Sequence, residues 1–406
     1  MIPRERHHRK DPAHRIDESR YRRFSVENQA FVTVGMQDTG KKGILHFTEK
    51  MFANMMANIY SDVPGNSRLD YAADLGANAL NLILGSYGFP NSRFLAWNPL
   101  FVPEPLRHRK WEAGAGDMTR IVKAQARLYG ADLVGVARLD SKWVYAEDLE
   151  KPFVFENADD PSEERDRFVI PASVQTAIVI AVAMNQELIE ASPAAASSTA
   201  ASLGYSRMAI SAVSLAEFIR SLGYTAIPCM NDTALSIPLA IDAGLGELGR
   251  HGLLITPEFG SNVRLCKVLT NMPLLADSPV DFGIARFCRN CLACVDHCPS
   301  KSISAGEPSF EVACANNNPG VEKWTIDAEA CLRFWQENGH SCANCIAVCP
   351  FTAGFDFTHC LECVDCDSEG CGLQEISYLR KKHGYPTRSN DDDSDALVSP
   401  LSRRGL

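Results

Sequence analysis

The 406-residue sequence has no apolar run of the roughly eighteen residues that a membrane-spanning helix requires. Val174–Met184 comes nearest, but it is short, β-branched and interrupted by Gln175 and Thr176, which makes it a buried strand instead. A cationic excess is also missing. The formal net charge of −10 argues against nucleic acid as the main partner. Arg22-Arg23-Phe24 carries the arginine pair of a twin-arginine export signal, yet the polar stretch Ser25–Gln29 stands where such a signal needs an apolar region. The location expected from the chain as given is therefore cytoplasmic. Composition is otherwise ordinary, at 46% hydrophobic and 22% charged, and the length gives room for two or three domains.

What the chain has in quantity is cysteine, fifteen in all. Such a number signals a disulfide scaffold only in short secreted chains. Here Cys288–Pro299 reads C-R-N-C-L-A-C-V-D-H-C-P, the spacing C-x2-C-x2-C-x3-C-P. Three thiolates two residues apart can wrap three corners of a cubane cluster, and the fourth, past the turn, reaches a second cluster. A zinc site would show two separated C-x2-C pairs without the terminal Cys-Pro. The partner half is Cys342, Cys345 and Cys349-Pro350, with Cys331 ahead of them. Two-cluster logic assigns Cys288, Cys291, Cys294 and Cys349 to one [4Fe-4S] cluster, and Cys298, Cys331, Cys342 and Cys345 to the other. Cys314 competes with Cys331 for its place. Cys360, Cys363, Cys366 and Cys371 could bind zinc or a further cluster, or be uncommitted thiols. Cys229 and Cys266 fit no ligand spacing and are expected as small core residues.

Residues 1–115 form an N-terminal unit covering the core, 116–280 the core, 281–355 the ferredoxin-like cluster domain and 356–406 a Cys-containing tail. Leu69, Ala72, Leu75 and Leu82 predict a helix over Leu69–Leu84. The aromatics Phe89, Phe94, Trp97 and Phe101, set among prolines, predict a loop packed over the core or lining an apolar pocket. Asp117 is the expected N-cap of a helix to Tyr129. Beyond it, strands at Ala131–Ala137, Val174–Met184, Tyr224–Pro228 and Leu253–Thr256 alternate with helices at Ser206–Leu222 and Leu235–Ala243. This pattern gives an α/β (α+β) core. The small residues 191–203 suit a crowded helix interface. Gly244, Gly246 and Gly249 match G-x-G-x-x-G, but the motif follows a helix and precedes a strand, the wrong context for a dinucleotide site.

Ahead of the cluster motifs stand Gly130–Ala137 (G-A-D-L-V-G-V-A), Gly204–Met208 (G-Y-S-R-M), Met230-Asn231-Asp232, Leu245–Leu254 and Gly260–Arg264 (G-S-N-V-R). As an ordered set the chain resembles the corrinoid- and iron–sulfur-dependent reductive dehalogenases, over most of residues 20–355. The resemblance implies a nitroreductase-like core holding a corrinoid (a cobalamin, base-off, with no protein ligand to cobalt). It also implies a ferredoxin-like module with two [4Fe-4S] clusters. Tyr205 would be the proton donor, Asn231 a neighbour of substrate or halogen, and Arg264 the group that tunes Tyr205. Ser206, Gly244, Gly246 and Gly249 would contact the cofactor. His251 and His297 are not cobalt ligands on this reading.

The implied substrate is a small organohalide. The implied donor is a ferredoxin, a flavodoxin or a membrane quinol-linked partner. Family members often act at the outer face of the cytoplasmic membrane, and peripheral attachment through an anchor protein and a homodimer fit the resemblance. The chemistry is self-consistent: a phenol with an ordinary pKa of about 10 is a sluggish acid, and an adjacent cation favours its phenolate. Residues 356–406 and the missing twin-arginine signal depart from the pattern. An epoxyqueuosine reductase-like enzyme acting on transfer RNA would call for a basic groove and a carboxylate donor. A non-catalytic iron–sulfur carrier or corrinoid reactivator would need no buried acid.

Overall fold

A computed structural model describes residues 13–40, 44–60, 65–84, 102–107 and 109–353, with His7–His8, Trp97, Pro99 and Leu100. Phe89, Phe94, Phe101, the Cys360–Cys371 block and the terminal stretch 390–406 lie outside the described residues. The chain begins with helices α1 (Ala30–Thr39), α2 (Ile44–Tyr60), α3 (Arg68–Ala77) and α4 (Ala79–Leu84). The single helix expected over Leu69–Leu84 is two, parted at Asn78. The residues that suggested it face outward: Leu69, Ala72, Leu75 and Leu82 are exposed, whereas Asp70 and Tyr71 are buried. Polar bonding decides the inward face. Ser67 and Asp70 form a reciprocal capping box, and Asp74 accepts a 2.6 Å hydrogen bond from the Ser202 hydroxyl. The N-terminal unit also divides its packing. α3 and α4 lie on the core, but Ala30, Val34 and Phe47 of α1 and α2 pack on Leu332 and Trp335 of the cysteine-rich region.

The core follows as α5 (Ala115–Leu128), β1 (Leu133–Arg138), β2 (Thr176–Ala183), α6 (Ala195–Ser221), β3 (Ala226–Cys229), α7 (Ser236–Asp242) and β4 (Val263–Thr270). Gly114 caps α5, and Asp117 sits inside the first turn instead, where it pairs with Arg120 at 2.9 Å. The sheet order is β1-β2-β4-β3 with every neighbouring pair antiparallel. The core is thus the α+β form of the expected class.

Period-two alternation sends Ile178, Ile180 and Val182 of β2 toward α5 and α6, where they meet Met118, Val122 and Leu215. Ala177, Val179 and Ala181 face the other way, onto Leu239 of α7 and the stacked pair Phe153–Phe168. Both faces are covered, which explains why β2 is a continuous apolar run. Helix α6 starts eleven residues ahead of the expected Ser206. Its first two turns, Ala195–Ala201, are made of small residues, most of them buried, that let α3 and the cysteine-rich region approach closely.

That region contributes α8 (Ile284–Asn290), α9 (Ala293–Asp296), α10 (Ala328–Asn338) and α11 (Asn344–Ala347). The short helices α9 and α11 occupy equivalent places in the two Cys-Pro motifs and pack together. No helix among the described residues is long and apolar enough to cross a membrane.

Candidate functional site

The eight cysteines singled out by spacing gather in two sets. Cys288 lies beside Cys349, Cys291 and Cys294. Cys331 lies beside Cys342 and Cys298, and Cys345 beside Cys342, Cys331 and Cys298. Cys345 also neighbours Cys294, so the sets adjoin. Cys314 joins neither. Its thiol is held by the Asn317 amide at 3.2 Å and bonds the Ile326 carbonyl. Burial and mutual repulsion push the Cys294, Cys331 and Cys349 thiols up to about 12, and hold Cys288 and Cys345 well above their ordinary range. Such sites favour thiolates only if a cationic group enters with them, which is what iron supplies. No three metal-ligating side chains converge as a single-ion site among the described residues.

The second set packs against the core. Cys345, Ala343, Ile346 and Ala347 share an apolar cluster with Met184, Leu253, Ala200 and Ala201. Ala201 is one helical turn from Tyr205. The first set packs elsewhere, with Cys288 and Cys349 against Ile255, Ile284, Trp324 and Phe351; it is the outer set, and the second, beside Ala201, the inner set.

Tyr205, Asn231 and Arg264 come from three elements and meet. Tyr205 lies mid-α6. Asn231 follows the end of β3. Arg264 opens β4, and the pairing of Lys267 with Cys229 carries it past the end of β3 to the level of the Met230–Asp232 turn. Even-numbered residues of β4 face α6, so Arg264 turns toward Tyr205 while Lys267 turns to α7. The Asn231 amide donates a 2.8 Å hydrogen bond to the Tyr205 hydroxyl oxygen. The Arg264 guanidinium sits 5.0 Å from the Tyr205 ring centre. Gly204 makes this possible, because a Cβ there would stand 2.9 Å from Arg264 Cγ.

Sequence reasoning missed the residues that fix the Asn231 turn. The Tyr145 hydroxyl donates to the Asn231 carbonyl at 3.0 Å, and Lys267 Nζ donates to the Met230 carbonyl at 2.5 Å and to Ser236 at 3.1 Å. Lys267 is fully buried, and desolvation lowers its pKa. The available signal was a lone lysine inside the apolar run Leu265–Leu269. Burial likewise raises the Cys229 thiol and takes Cys266 to about 12, as expected of inert core residues.

The residues expected to contact a cofactor have other partners. The Ser206 hydroxyl donates to the Ala77 carbonyl at 2.6 Å and accepts from the Asn81 amide at 3.1 Å, tying α6 to the α3–α4 junction. A Cβ at Gly244 would lie 2.5 Å from the Ser278 carbonyl, and one at Gly246 2.2 Å from that of Ile255. A Cβ at Gly249 would strike the Ile255 side chain at 2.5 Å. The chain itself fills those spaces, so they form no cradle. His297 Nδ1 bonds the Ala293 carbonyl at 2.9 Å within its own loop.

A different set of polar atoms is buried without partners: His251 Nε2, Asn262 Oδ1, Arg264 Nε and Thr199 Oγ1. They belong to segments that meet near Met184. Asn262 donates to the Met184 carbonyl at 3.1 Å, Thr199 precedes Ala200, and His251 Nδ1 accepts from the Leu253 amide at 3.2 Å. That bond places the imidazole proton on Nε2, so a His251 donor and an Asn262 acceptor are both left over. Orphaned buried donors and acceptors at one junction fit a bound polar group with amide side arms.

A model of the reductive dehalogenase subunit matches residues 113–274, and a model of the 4Fe-4S dicluster domain matches residues 287–353. The tetrachloroethene reductive dehalogenase of Sulfurospirillum multivorans is 39% identical over 73% of this chain. That of Dehalobacter restrictus is 40% identical over 60% of it. The chain spans 64% of the first relative's length and 49% of the second's. Among solved structures, the catabolic reductive dehalogenase NpRdhA superposes with a TM-score of 0.65 at 21% identity, covering 93% of this chain and 48% of that one, a likeness of fold.

Proposed function

Built from a reductive dehalogenase domain followed by a 4Fe-4S dicluster domain, the chain, we propose, replaces halogen by hydrogen in a small organohalide: R–X + 2e⁻ + H⁺ → R–H + X⁻. The antiparallel core would be the nitroreductase-like layer of that enzyme. Electrons from a low-potential carrier such as a ferredoxin would enter at the outer set, Cys288, Cys291, Cys294 and Cys349. They would pass to the inner set, Cys298, Cys331, Cys342 and Cys345. A corrinoid, when bound, supplies the two-electron chemistry on the carbon–halogen bond. His251, Thr199 and Asn262 are the residues that would hold its polar periphery.

The chain's own task is the proton. Because Tyr205 accepts from Asn231, its O–H is directed away from that amide and is free to donate to carbon. When it does, Arg264 and the Asn231 amide stabilise the oxygen that remains, from fixed positions that need no reorganisation. The Lys267 and Tyr145 bonds to the Met230–Asn231 carbonyls hold that amide in place. Leu253, Met184 and Ala201 form an apolar wall toward the inner set that excludes competing water.

The Asn231–Tyr205 hydrogen bond under a guanidinium is the observation that carries the proposal. The test is anaerobically reconstituted protein with corrinoid, releasing halide from a halogenated ethene or phenol under a low-potential reductant. Tyr205→Phe, which keeps the ring under Arg264, is expected to lower turnover by about 10²- to 10⁴-fold with cobalt and iron content unchanged. Full turnover in that variant would remove Tyr205 from the reaction.

A further inference from the structure

We propose that Arg250 sets the reduction potential of the outer cluster, holding it above that of the inner one. Arg250 is among the most deeply buried large side chains, 1% exposed, yet forms no ion pair among the described residues. Its donors go to neutral oxygens. Nε bonds the Cys288 carbonyl at 2.9 Å, Nη1 those of Ser304 and Gly306 at 2.9 and 2.8 Å, and Nη2 that of Arg289 at 3.0 Å. The guanidinium lies 5.0 Å from the Trp324 ring centre. Carbonyls satisfy the hydrogen bonds without cancelling the charge, and arginine does not shed its proton when buried.

A full positive charge is thus fixed, with little solvent screening, against the backbone of a cluster ligand. Its influence reaches Cys294, and its own backbone amide faces Cys288. In the inner set the Asp327 carboxylate bears on Cys331. Reduction, [4Fe-4S]²⁺ + e⁻ → [4Fe-4S]⁺ with the electron drawn from the low-potential carrier, adds one negative charge. A neighbouring cation favours the reduced form, and a neighbouring carboxylate opposes it. An electron entering at the outer cluster therefore climbs a potential step to reach the inner one. The inference rests on the two-cluster reading and not on the identity of the halide.

The experiment is a redox titration of the holoprotein followed by electron paramagnetic resonance, with iron counted in each sample. Arg250→Gln keeps donors and removes charge. One of the two midpoints is expected to fall so that the reduced-to-oxidised ratio at fixed potential drops at least tenfold, about 59 mV for a one-electron couple. The other midpoint is expected to stay. Arg250→Lys, retaining the charge, is expected to remain within threefold of wild type. An unchanged midpoint in iron-replete Arg250→Gln overturns the proposal. So does Arg250→Lys moving as far as Arg250→Gln, or both variants losing iron, since each makes the role structural. Wild-type protein lacking cubane iron would instead refute the two-cluster reading.

Discussion

Gly204→Ala isolates the contact on which the proposed proton transfer depends. The new Cβ would stand 2.9 Å from Arg264 Cγ and 3.4 Å from Met184 Cγ. Carbon pairs settle at about 3.5–4.0 Å, so Arg264 must retreat by roughly half an ångström or more, moving its guanidinium relative to the Tyr205 ring. Two stability effects compete. Alanine in a helix interior gains about 1 kcal/mol over glycine. Overpacking costs about 1–3 kcal/mol, here tempered because Arg264 is only half-buried and can yield. The net change in stability is expected within about 2 kcal/mol of zero, while halide release falls at least tenfold. Thermal unfolding and steady-state halide release, both under anaerobic conditions, read the two quantities. A variant that shows the whole helix-propensity gain and wild-type turnover would mean that Arg264 is not constrained by Gly204, and the argument would fail.

Other outcomes follow from the same geometry. Burial lowers His251 from its ordinary 6.5 to about 4, so as pH falls below 6.5 the unfolded chain takes up the proton before the folded one. The stability tied to its neutral ring is complete above pH 6.5 and is lost progressively down to about pH 4, a loss of about 3 kcal/mol. His251→Asn should flatten that part of the stability–pH curve. An unchanged slope would show that the ring titrates normally. Cys331→Ser is expected to lose the inner cluster, about four of about eight irons, whereas Cys314→Ser keeps the full count. The reverse pattern would place Cys314 in the ligand set.

Legibility differed from one part of the site to another. The candidate cluster cysteines could be singled out because a cubane's ligands come in short runs whose spacing is dictated by local backbone geometry. Only the choice between Cys331 and Cys314 needed the third dimension, where a helix brings one to Cys342 and a loop holds the other at Asn317. The leucines of 69–82 misled, since periodicity reports a face and not the side on which hydrogen bonds form. The G-x-G-x-x-G glycines, expected to contact a cofactor, are approached by the chain's own backbone at Ser278 and Ile255.

The sequence by itself determined that β2 is a strand buried on both faces and set the cysteine spacing, because each is written in residues a few positions apart. Tertiary structure alone decided that Tyr205, Asn231 and Arg264 touch, that Lys267 and Tyr145 hold the turn between them, and that Arg250 brings its charge to the Cys288 carbonyl. Those relations join segments dozens of residues apart, and antiparallel register and side-chain facing set their distances.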